Sequence, residues 1–134
     1  MKIVLLGATG RLGRYLVKEL QNRDLDFSKP THEECSIEYM DHLENMLETY
    51  KPDLIIHSAG FVDTERCEEQ RDLCLETNVL GTYNIVKLCR ENKIRLAFIS
   101  SEYIFSGEDE EYSINSALNP KNIYGLPKAC VECM

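Results

Sequence analysis

The chain opens with Met1-Lys-Ile-Val-Leu-Leu-Gly-Ala-Thr-Gly-Arg-Leu-Gly13, and this stretch decides the fold. Its apolar run Ile3–Leu6 is typical of a strand that is buried on both faces of a parallel sheet. Three glycines follow at three-residue spacing, and an amphipathic helical pattern begins among them. Because strand, glycine turn and helix follow one another directly, we predict a βα unit at the start of the chain.

The glycines of this unit are typical of a phosphate-binding turn. One glycine allows a tight turn with positive φ, another leaves out the Cβ that would obstruct a diphosphate, and Gly13 lets the helix pack closely on the strand. The N–H groups and the dipole at the helix start favour an anion. The spacing is G-x-x-G-x-x-G rather than G-x-G-x-x-G, and the alternative is an ordinary βα turn that uses glycine for packing.

Composition limits the classes of protein to consider. The 134 residues suffice for one domain, and a net charge of −8 without a lysine and arginine cluster argues against nucleic acid as the main partner. No apolar run reaches the length of a membrane span. Met1 leads straight into the first strand, so we expect no signal peptide and a cytoplasmic protein whose six cysteines are reduced. We interpret the C-x-x-C pair Cys130 and Cys133 as two thiols on one helix rather than a metal or redox site.

Strands and helices alternate along the rest of the chain. We predict further strands at Asp24–Ser28, Glu34–Ser36, Leu54–Ile56 and Ile94–Ser100. Right-handed crossovers then give an α/β, Rossmann-type, doubly wound parallel sheet with strand order 3-2-1-4-5. The ligand is expected over the first and fourth strands, at their carboxyl ends.

Two helices complete this pattern. The helix that ends before Pro52 is expected to start after a Ser36 cap, and one long helix is expected over Asp72–Asn92. Asn78 on the long helix is expected to hydrogen-bond a neighbouring loop. The buried face of the first helix is expected to comprise Met40, Leu43, Met46, Leu47 and Tyr50, and that of the second Leu73, Leu80, Tyr83, Val86 and Cys89.

The carboxyl ends of two strands carry candidate cofactor residues. Small residues Ser58, Ala59 and Gly60 follow the fourth strand and would let a ligand approach the backbone. Lys29 follows the second strand, where a base suits the 2′-phosphate of NADP(H) and an acid suits the free hydroxyl of NAD(H). Lys29 favours NADP(H), with NAD(H) as the alternative, and a solvated lysine in a turn fits the position nearly as well.

Three further residues have the chemistry of a proton-transfer site. Tyr124 and Lys128 form Y-x-x-x-K, which on a helix places both side chains on one face. A lysine ammonium beside a phenol lowers the pKa of the phenol, and such a tyrosine exchanges a proton with a substrate oxygen that Ser101 also holds. His57 ends a buried strand without a carboxylate or nucleophile near it in sequence, so we interpret it as a structural histidine.

Together these motifs resemble the extended short-chain dehydrogenase/reductase superfamily. The resemblance runs along the whole chain and rests on the glycine turn, the helix segment Asn78-Val-Leu-Gly-Thr-Tyr-Asn84, the serine strand end and Y-x-x-x-K. The segments Ile99-Ser-Ser-Glu-Tyr-Ile-Phe-Ser-Gly107 and Asn119-Pro-Lys-Asn-Ile-Tyr-Gly125 are most similar to the dTDP-4-dehydrorhamnose reductases. The resemblance implies an NADP(H)-dependent reductase of a nucleotide-activated 4-keto sugar.

The resemblance also implies residue roles. Ser101 would orient the keto oxygen, Tyr124 would protonate it, and Lys128 would bind the nicotinamide ribose and tune Tyr124. The diphosphate would be held by Gly7, Thr9, Gly10, Arg11, Leu12 and Gly13, the cofactor cleft would be lined by Ser58, Ala59 and Gly60, and Lys29 aligns with a basic residue often found at its strand end.

The chain departs from this family in three places. Family members have about twice this length, so residues 1–134 correspond to the NAD(P)-binding Rossmann domain without the later sugar-nucleotide-binding part. Pro127 stands where serine or threonine is usual, which requires the helix to begin near Tyr124 because proline blocks an interior hydrogen bond. The segment Ile114-Asn115-Ser116 replaces an acidic stretch.

These departures leave two other functions open. One is a non-catalytic NAD(P)-binding relative that acts as a sensor or partner subunit, and the other is a sugar-nucleotide epimerase or dehydratase. The last strand would then be an open sheet edge, and an open edge invites pairing. We therefore expect a homodimer or a partner chain that supplies the missing half.

Overall fold

Four short parallel strands form the sheet in this computed structural model, which describes residues 1–134. They are β1 (Ile3–Leu6), β2 (Phe27–Ser28), β3 (Leu54–His57) and β4 (Arg95–Phe98), in the spatial order β2-β1-β3-β4. β1 and β3 pair in register from Ile3 opposite Leu54 to Leu6 opposite His57. Both strands therefore end at the same edge of the sheet. The predicted α/β class and the order of the predicted second, first, fourth and fifth strands are confirmed.

Six α-helices accompany the strands. None of them has both the length and the apolar character that a membrane crossing requires. A π-helix at Glu76–Gly81 joins the fourth and fifth helices, and a 3₁₀ turn covers Glu102–Ile104. The helices are α1 (Arg11–Asn22), α2 (Met40–Tyr50), α3 (Thr64–Glu69), α4 (Arg71–Leu75), α5 (Thr82–Asn92) and α6 (Gly125–Glu132).

Helices cover both faces of the sheet, which confirms the doubly wound arrangement. On one face, Ile3 and Leu5 pack with Leu20 of α1. On the other face, β1 and β3 pack against α2 and α5 in a larger cluster of buried residues. That cluster comprises Val4, Leu6, Cys35, Ile37, Leu43, Met46, Ile55, Ile85, Leu88 and Cys89. Alternate residues of β1 thus serve opposite cores, which explains its unbroken apolar run.

The predicted third strand at Glu34–Ser36 is wrong. The Glu34 carboxylate accepts from the Thr31 N–H at 2.7 Å, and the Thr31 hydroxyl accepts from the Glu34 N–H at 3.3 Å. These reciprocal bonds, of the kind found at helix starts, close a turn and leave the segment unable to extend. The Thr31 bonds also lower the pKa of Glu34. The sheet therefore continues no further than β2 on this side.

The α2 helix has the predicted buried face but not the predicted cap. Leu43 and Met46 are fully buried, and Met40, Leu47 and Tyr50 pack against them. The helix begins at Met40 with Tyr39 as N-cap and without a side-chain capping bond. The Ser36 hydroxyl bonds Glu38 instead, because the turn between them brings the two side chains together.

The long helix predicted over Asp72–Asn92 is interrupted by the π-helix Glu76–Gly81. A π-turn inserts an extra residue, so the side chains on either side of it no longer follow one α-helical face. Consequently Leu73, Leu80 and Tyr83 are exposed rather than buried, and Cys89 is buried as predicted. Asn78 is buried at the centre of the π-helix.

The chain divides into two compact units. The first comprises Met1–Gly60 and Asn84–Ile99, and it contains the sheet with α1, α2 and most of α5. The second comprises Phe61–Tyr83 and Ser100–Met134, and it contains α3, α4, the π-helix and α6. The predicted dinucleotide turn belongs to the first unit, and the predicted proton-transfer residues belong to the second.

Candidate functional site

In the first unit, the turn after β1 requires glycine at two positions. Gly7 has a φ of +84°, and a Cβ there would lie 2.4 Å from the Ala59 nitrogen. A Cβ on Gly13 would lie 2.0 Å from the Gly7 carbonyl oxygen. Both clashes are with backbone, which cannot move aside as a flexible side chain can. The glycines therefore bring α1 and the segment after β3 into close contact with the turn, and the close packing of α1 through Gly13 is as predicted.

The start of α1 is suited to an anion. Gly10 is the N-cap and has no side chain to accept from the N–H groups of the first turn, and that turn contains no acidic residue. The Gly10 N–H closes the preceding turn on the Gly7 oxygen at 3.1 Å. Arg14 Nε donates to the Thr9 carbonyl oxygen at 2.9 Å, while Arg11 and Leu12 are exposed at the helix start. The first-turn N–H groups of a helix lack intrahelical acceptors, so this end attracts negative charge.

The residues after β2 and β3 extend the same edge of the sheet. Ser58 donates to the Leu6 oxygen through its N–H at 3.0 Å and through its hydroxyl at 2.8 Å. These two bonds hold Ser58, Ala59 and Gly60 beside the glycine turn. Lys29 is exposed directly after β2. Gly10 leaves the start of α1 without a side chain beside its free N–H groups, so the residues present fit the diphosphate of a dinucleotide.

His57 lies in the core of the first unit. Its side chain is 1% exposed, and its ring packs at 5.6 Å from the Phe98 ring on the neighbouring strand. A ring enclosed in this way cannot meet a substrate. The structure thus agrees with the interpretation of His57 as a structural histidine.

In the second unit, Tyr124 and Ser101 lie together. The Ser101 hydroxyl lies beside the Tyr124 phenol, and the Tyr103 ring packs edge-on against the Tyr124 ring at 5.7 Å between centroids. The Ser101 hydroxyl also donates to the Glu102 carboxylate at 3.0 Å. Two hydroxyl groups therefore meet at one point, as a site that holds a single substrate oxygen requires.

The pKa of Tyr124 does not shift in the predicted direction. Burial raises it above its usual value, because a phenolate loses hydration there, and the Glu102 carboxylate raises it further. The bond from Ser101 acts in the opposite direction. The expectation that Lys128 lowers this pKa is therefore wrong for the protein without ligand. Tyr124 is protonated at neutral pH, which is the state that a proton donor needs.

The position at which α6 begins accommodates Pro127. The helix begins at Gly125 with Tyr124 as N-cap, so Pro127 lies in the first turn, where an N–H has no helical acceptor to lose. A Cβ on Gly125 would lie 2.1 Å from the Tyr103 oxygen, so the helix start packs against the 3₁₀ turn. The helix therefore begins near Tyr124, as Pro127 requires.

Lys128 is buried one turn into α6, with 6% of its surface exposed. Burial lowers its pKa to about 8, and the Cys74 sulfur opposes this shift. Because the pKa in the unfolded chain is 10.5, the folded state binds fewer protons than the unfolded state between pH 8 and 10.5. The cost of burying the ammonium is therefore largest below pH 8 and is relieved as the pH rises to 10.5.

Replacing Lys128 with methionine is expected to stabilise the protein at pH 7. The variant removes a buried charge and keeps an apolar chain of similar length. For a pKa shift of the size found at Lys128, this change raises the free energy of unfolding by up to about 3 kcal/mol. Denaturant unfolding at pH 7, 8, 9 and 10 measures it, and the advantage of the variant should shrink as the pH rises. Lys121→Met, at an exposed lysine, is the control. An equal effect of both variants at every pH would contradict this account.

Asn78 hydrogen-bonds a loop, as the sequence suggests. Its Oδ1 accepts from the Phe61 N–H and its Nδ2 donates to the Phe61 oxygen, each at 2.8 Å. Nδ2 also lies 3.4 Å from the Cys74 sulfur. Burial raises the pKa of Cys67 to about 12, with a hydrogen bond to Cys74 as the second cause. The Cys67 thiol is therefore an inert packing group at neutral pH.

The family model described as "RmlD substrate binding domain" matches residues 1–134, which is the whole chain. The chain belongs to the RmlD substrate binding domain family. The resemblance inferred from the motifs is thereby confirmed, including its similarity to the dTDP-4-dehydrorhamnose reductases.

Curated proteins and solved structures are similar to this RmlD family chain. D-erythronate dehydrogenase from Haemophilus influenzae is 34% identical over 155 aligned positions, covering 100% of the chain and 49% of the relative. Methionine adenosyltransferase 2 subunit beta from Danio rerio is 28% identical and covers 95% of the chain and 41% of the relative. A solved dTDP-4-dehydrorhamnose reductase from Bacillus anthracis, in complex with NADP, has a TM-score of 0.92 at 28% identity, covering 98% of the chain and 48% of that structure. The chain spans about half the length of the curated relatives it matches.

Three residues around Tyr124 in this RmlD family member were not predicted from the sequence. Glu102 influences the phenol, Cys74 donates to the Ile123 oxygen at 3.7 Å, and Glu68 accepts from the Ile123 N–H at 2.8 Å. Glu102 follows Ser101 directly, so its position was a usable signal. Glu68 lies 55 residues before Ile123, and no spacing rule connects the two.

Proposed function

We propose that this chain is the NAD(P)-binding part of an NADP(H)-dependent reductase of a nucleotide-activated 4-keto sugar. The observation that carries the proposal is the placement of the Ser101 hydroxyl beside the Tyr124 phenol, with Lys128 one turn further along α6. A tyrosine that is protonated and paired with a second hydroxyl suits protonation of a carbonyl oxygen. The match to dTDP-4-dehydrorhamnose reductases supports the class of substrate.

Each residue has a defined part in the reduction. The nicotinamide, when bound, supplies the hydride that adds to the keto carbon. As the carbon–oxygen π bond opens, Tyr124 gives its phenol proton to the carbonyl oxygen, and the Ser101 hydroxyl holds that oxygen in place. Lys128, one turn further along α6, would hold the nicotinamide ribose. The raised pKa of Tyr124 keeps its proton available until this step.

The cofactor proposal rests on the first unit. Gly7 and Gly13 allow the tight turn and the close packing of α1, Gly10 leaves room for a diphosphate, and the first-turn N–H groups at Arg11, Leu12 and Gly13 would bind its oxygens. Thr9, Ser58, Ala59 and Gly60 would line the cleft. Lys29 favours NADP(H) through the 2′-phosphate, with NAD(H) as the alternative, and the NADP complex of the Bacillus anthracis relative supports a nicotinamide cofactor.

A partner chain at the sheet edge and a cytoplasmic location are further parts of this proposal. β4 lies at the edge of the sheet, and Arg95 and Ala97 on it are exposed. This edge supports the expected homodimer or partner chain, because an open strand readily accepts another. The six free cysteines support a cytoplasmic location, where thiols stay reduced.

NADPH oxidation with dTDP-4-keto-6-deoxymannose tests the proposed reaction. The purified protein is assayed alone and together with any partner chain. It is expected to oxidise NADPH only when the keto sugar is present. The decrease in NADPH absorbance measures the reaction, and an assay without the sugar is the control. Absence of turnover under both conditions would reject the reductase.

A non-catalytic partner subunit is the second candidate. The relative named methionine adenosyltransferase 2 subunit beta supports it, since that protein is by name a subunit of another enzyme. This candidate predicts dinucleotide affinity without turnover, so the same assay combined with a binding measurement separates the two functions.

A further inference from the structure

The main chain of Ile123, the residue before Tyr124, is held from both sides. Its N–H donates to Glu68 Oε1 at 2.8 Å, and its carbonyl oxygen accepts from Cys74 Sγ at 3.7 Å. Glu68 lies in α3 and Cys74 in α4. Two different helices of the second unit therefore hold the two peptide groups on either side of the Ile123 Cα, next to the tyrosine that the proposed reaction uses.

Glu68 is oriented for this contact although its side chain is 42% exposed. Its second carboxylate oxygen accepts from Arg71 Nη2 at 2.9 Å, and Arg71 Nε donates to the Glu68 carbonyl oxygen at 3.3 Å. One oxygen is thus occupied by the guanidinium and the other by the Ile123 amide. A carboxylate with both oxygens engaged has little rotational freedom, and the bond to the amide is charge-assisted.

The chain on the other side of Tyr124 is equally confined. The Gly125 N–H donates to Asn122 Oδ1 at 2.7 Å, and Gly125 packs so closely on the Tyr103 oxygen that a Cβ would lie 2.1 Å from it. The backbone of Tyr124 is therefore bracketed by Gly125 and by the held peptide of Ile123. Of these contacts, only the one made by Glu68 is provided by an ionised side chain from a distant part of the sequence.

We propose that Glu68 is a positioning residue for Tyr124. By holding the Ile123 N–H, it keeps the start of α6 in place and the phenol within reach of the Ser101 hydroxyl. This inference rests on the proposed function for its catalytic meaning, because the position of a proton donor matters where a proton is transferred. A displacement of about 1 Å at such a group costs on the order of 100-fold in rate.

Three variants separate positioning from a general contribution to stability. Glu68→Ala removes the acceptor, Glu68→Asp withdraws the carboxylate by one methylene but keeps its charge, and Glu68→Gln keeps an oxygen at the same reach. Glu69→Ala, at the exposed neighbour that ends α3, is the matched control. Glu68→Asp provides the test if Glu68→Ala does not fold.

Two readouts do not depend on turnover. Amide hydrogen exchange at Ile123 is expected to accelerate about tenfold or more in Glu68→Ala and Glu68→Asp, and to stay within about threefold of the unmodified protein in Glu68→Gln and Glu69→Ala. The carbon-13 resonances of the Tyr124 ring, assigned with Tyr124→Phe, should move in the first two variants only. Unchanged exchange and unchanged ring resonances in Glu68→Ala would overturn the inference.

Kinetics provide the third readout. In the reductase assay, Glu68→Ala is expected to lower kcat about tenfold with little change in KM, and Glu68→Gln is expected to restore most of it. A loss shared equally by Glu68→Gln, or one confined to KM, would also overturn the inference. If the unmodified protein shows no turnover, the proposed function fails, while exchange and ring resonances still decide whether Glu68 holds Tyr124.

Discussion

Replacing Gly13 with alanine is expected to destabilise the protein by about 3–5 kcal/mol and to abolish dinucleotide binding. The new Cβ would lie 2.0 Å from the Gly7 oxygen and 2.8 Å from the Ala8 carbonyl carbon. Both atoms belong to the backbone of a tight turn that is itself wedged against Ala59. The helix must therefore separate from β1, which opens the core on that face and displaces the N–H groups proposed to bind the diphosphate.

Gly10→Ala is the matched control for the predicted loss of stability. It makes the same chemical change three residues earlier, where the nearest atom to a new Cβ is 3.3 Å away. Its cost in the free energy of unfolding should be about 1 kcal/mol or less. Urea unfolding of both variants measures the difference. Equal stability of the two would mean that α1 does not pack on the glycine turn as described.

Replacing Tyr124 with phenylalanine is expected to lower turnover by about 10²–10⁴-fold. The variant keeps the ring, and with it the edge-on contact to Tyr103 at 5.7 Å, so the fold should be retained. It removes the only atom proposed to give a proton to the keto oxygen. The bound Ser101 hydroxyl also loses its partner, which weakens the remaining hold on the substrate.

Tyr103→Phe controls for the loss of a phenol in the same ring pair. Tyr103 is 42% exposed and has no part in the proposed proton transfer, so its variant should retain turnover. The two variants are compared in the NADPH oxidation assay, with circular dichroism to check folding. Turnover by Tyr124→Phe equal to that of the unmodified protein would remove Tyr124 from the mechanism.

Local sequence patterns predicted the first βα unit because each signal there has one physical meaning. The run Ile3–Leu6 is buried on both faces, and the glycine spacing matches clashes that exclude any larger residue at Gly7 and Gly13. The requirement that α6 begin near Tyr124 also followed from local chemistry, since proline is acceptable only in a first turn.

Predictions failed where side chains or inserted residues compete with a periodic pattern. The bonds between Thr31 and Glu34 convert a predicted strand into a turn. The π-helix between α4 and α5 rotates the buried face, so Leu73 and Leu80 became exposed. The apolar pattern on each side of a π-turn is still helical, so it predicts a helix without locating the inserted residue.

The electrostatics of the candidate site were not predictable from spacing. Y-x-x-x-K predicts that a lysine lowers the pKa of the tyrosine, but the shift depends on burial and on Glu102, neither of which the motif specifies. Likewise, the link from Glu68 to Ile123 joins α3 to the start of α6 across 55 residues. Such contacts are determined by the tertiary packing of the second unit.

The central claim is that the turn after β1 binds a nicotinamide dinucleotide, and isothermal calorimetry tests it directly. We expect NADPH to bind one to one with a Kd below about 0.1 mM, and NADH to bind about tenfold more weakly. Lys29→Ala should remove this preference by weakening NADPH binding alone. Absence of heat from both dinucleotides at millimolar concentration, with the protein folded, would contradict the account.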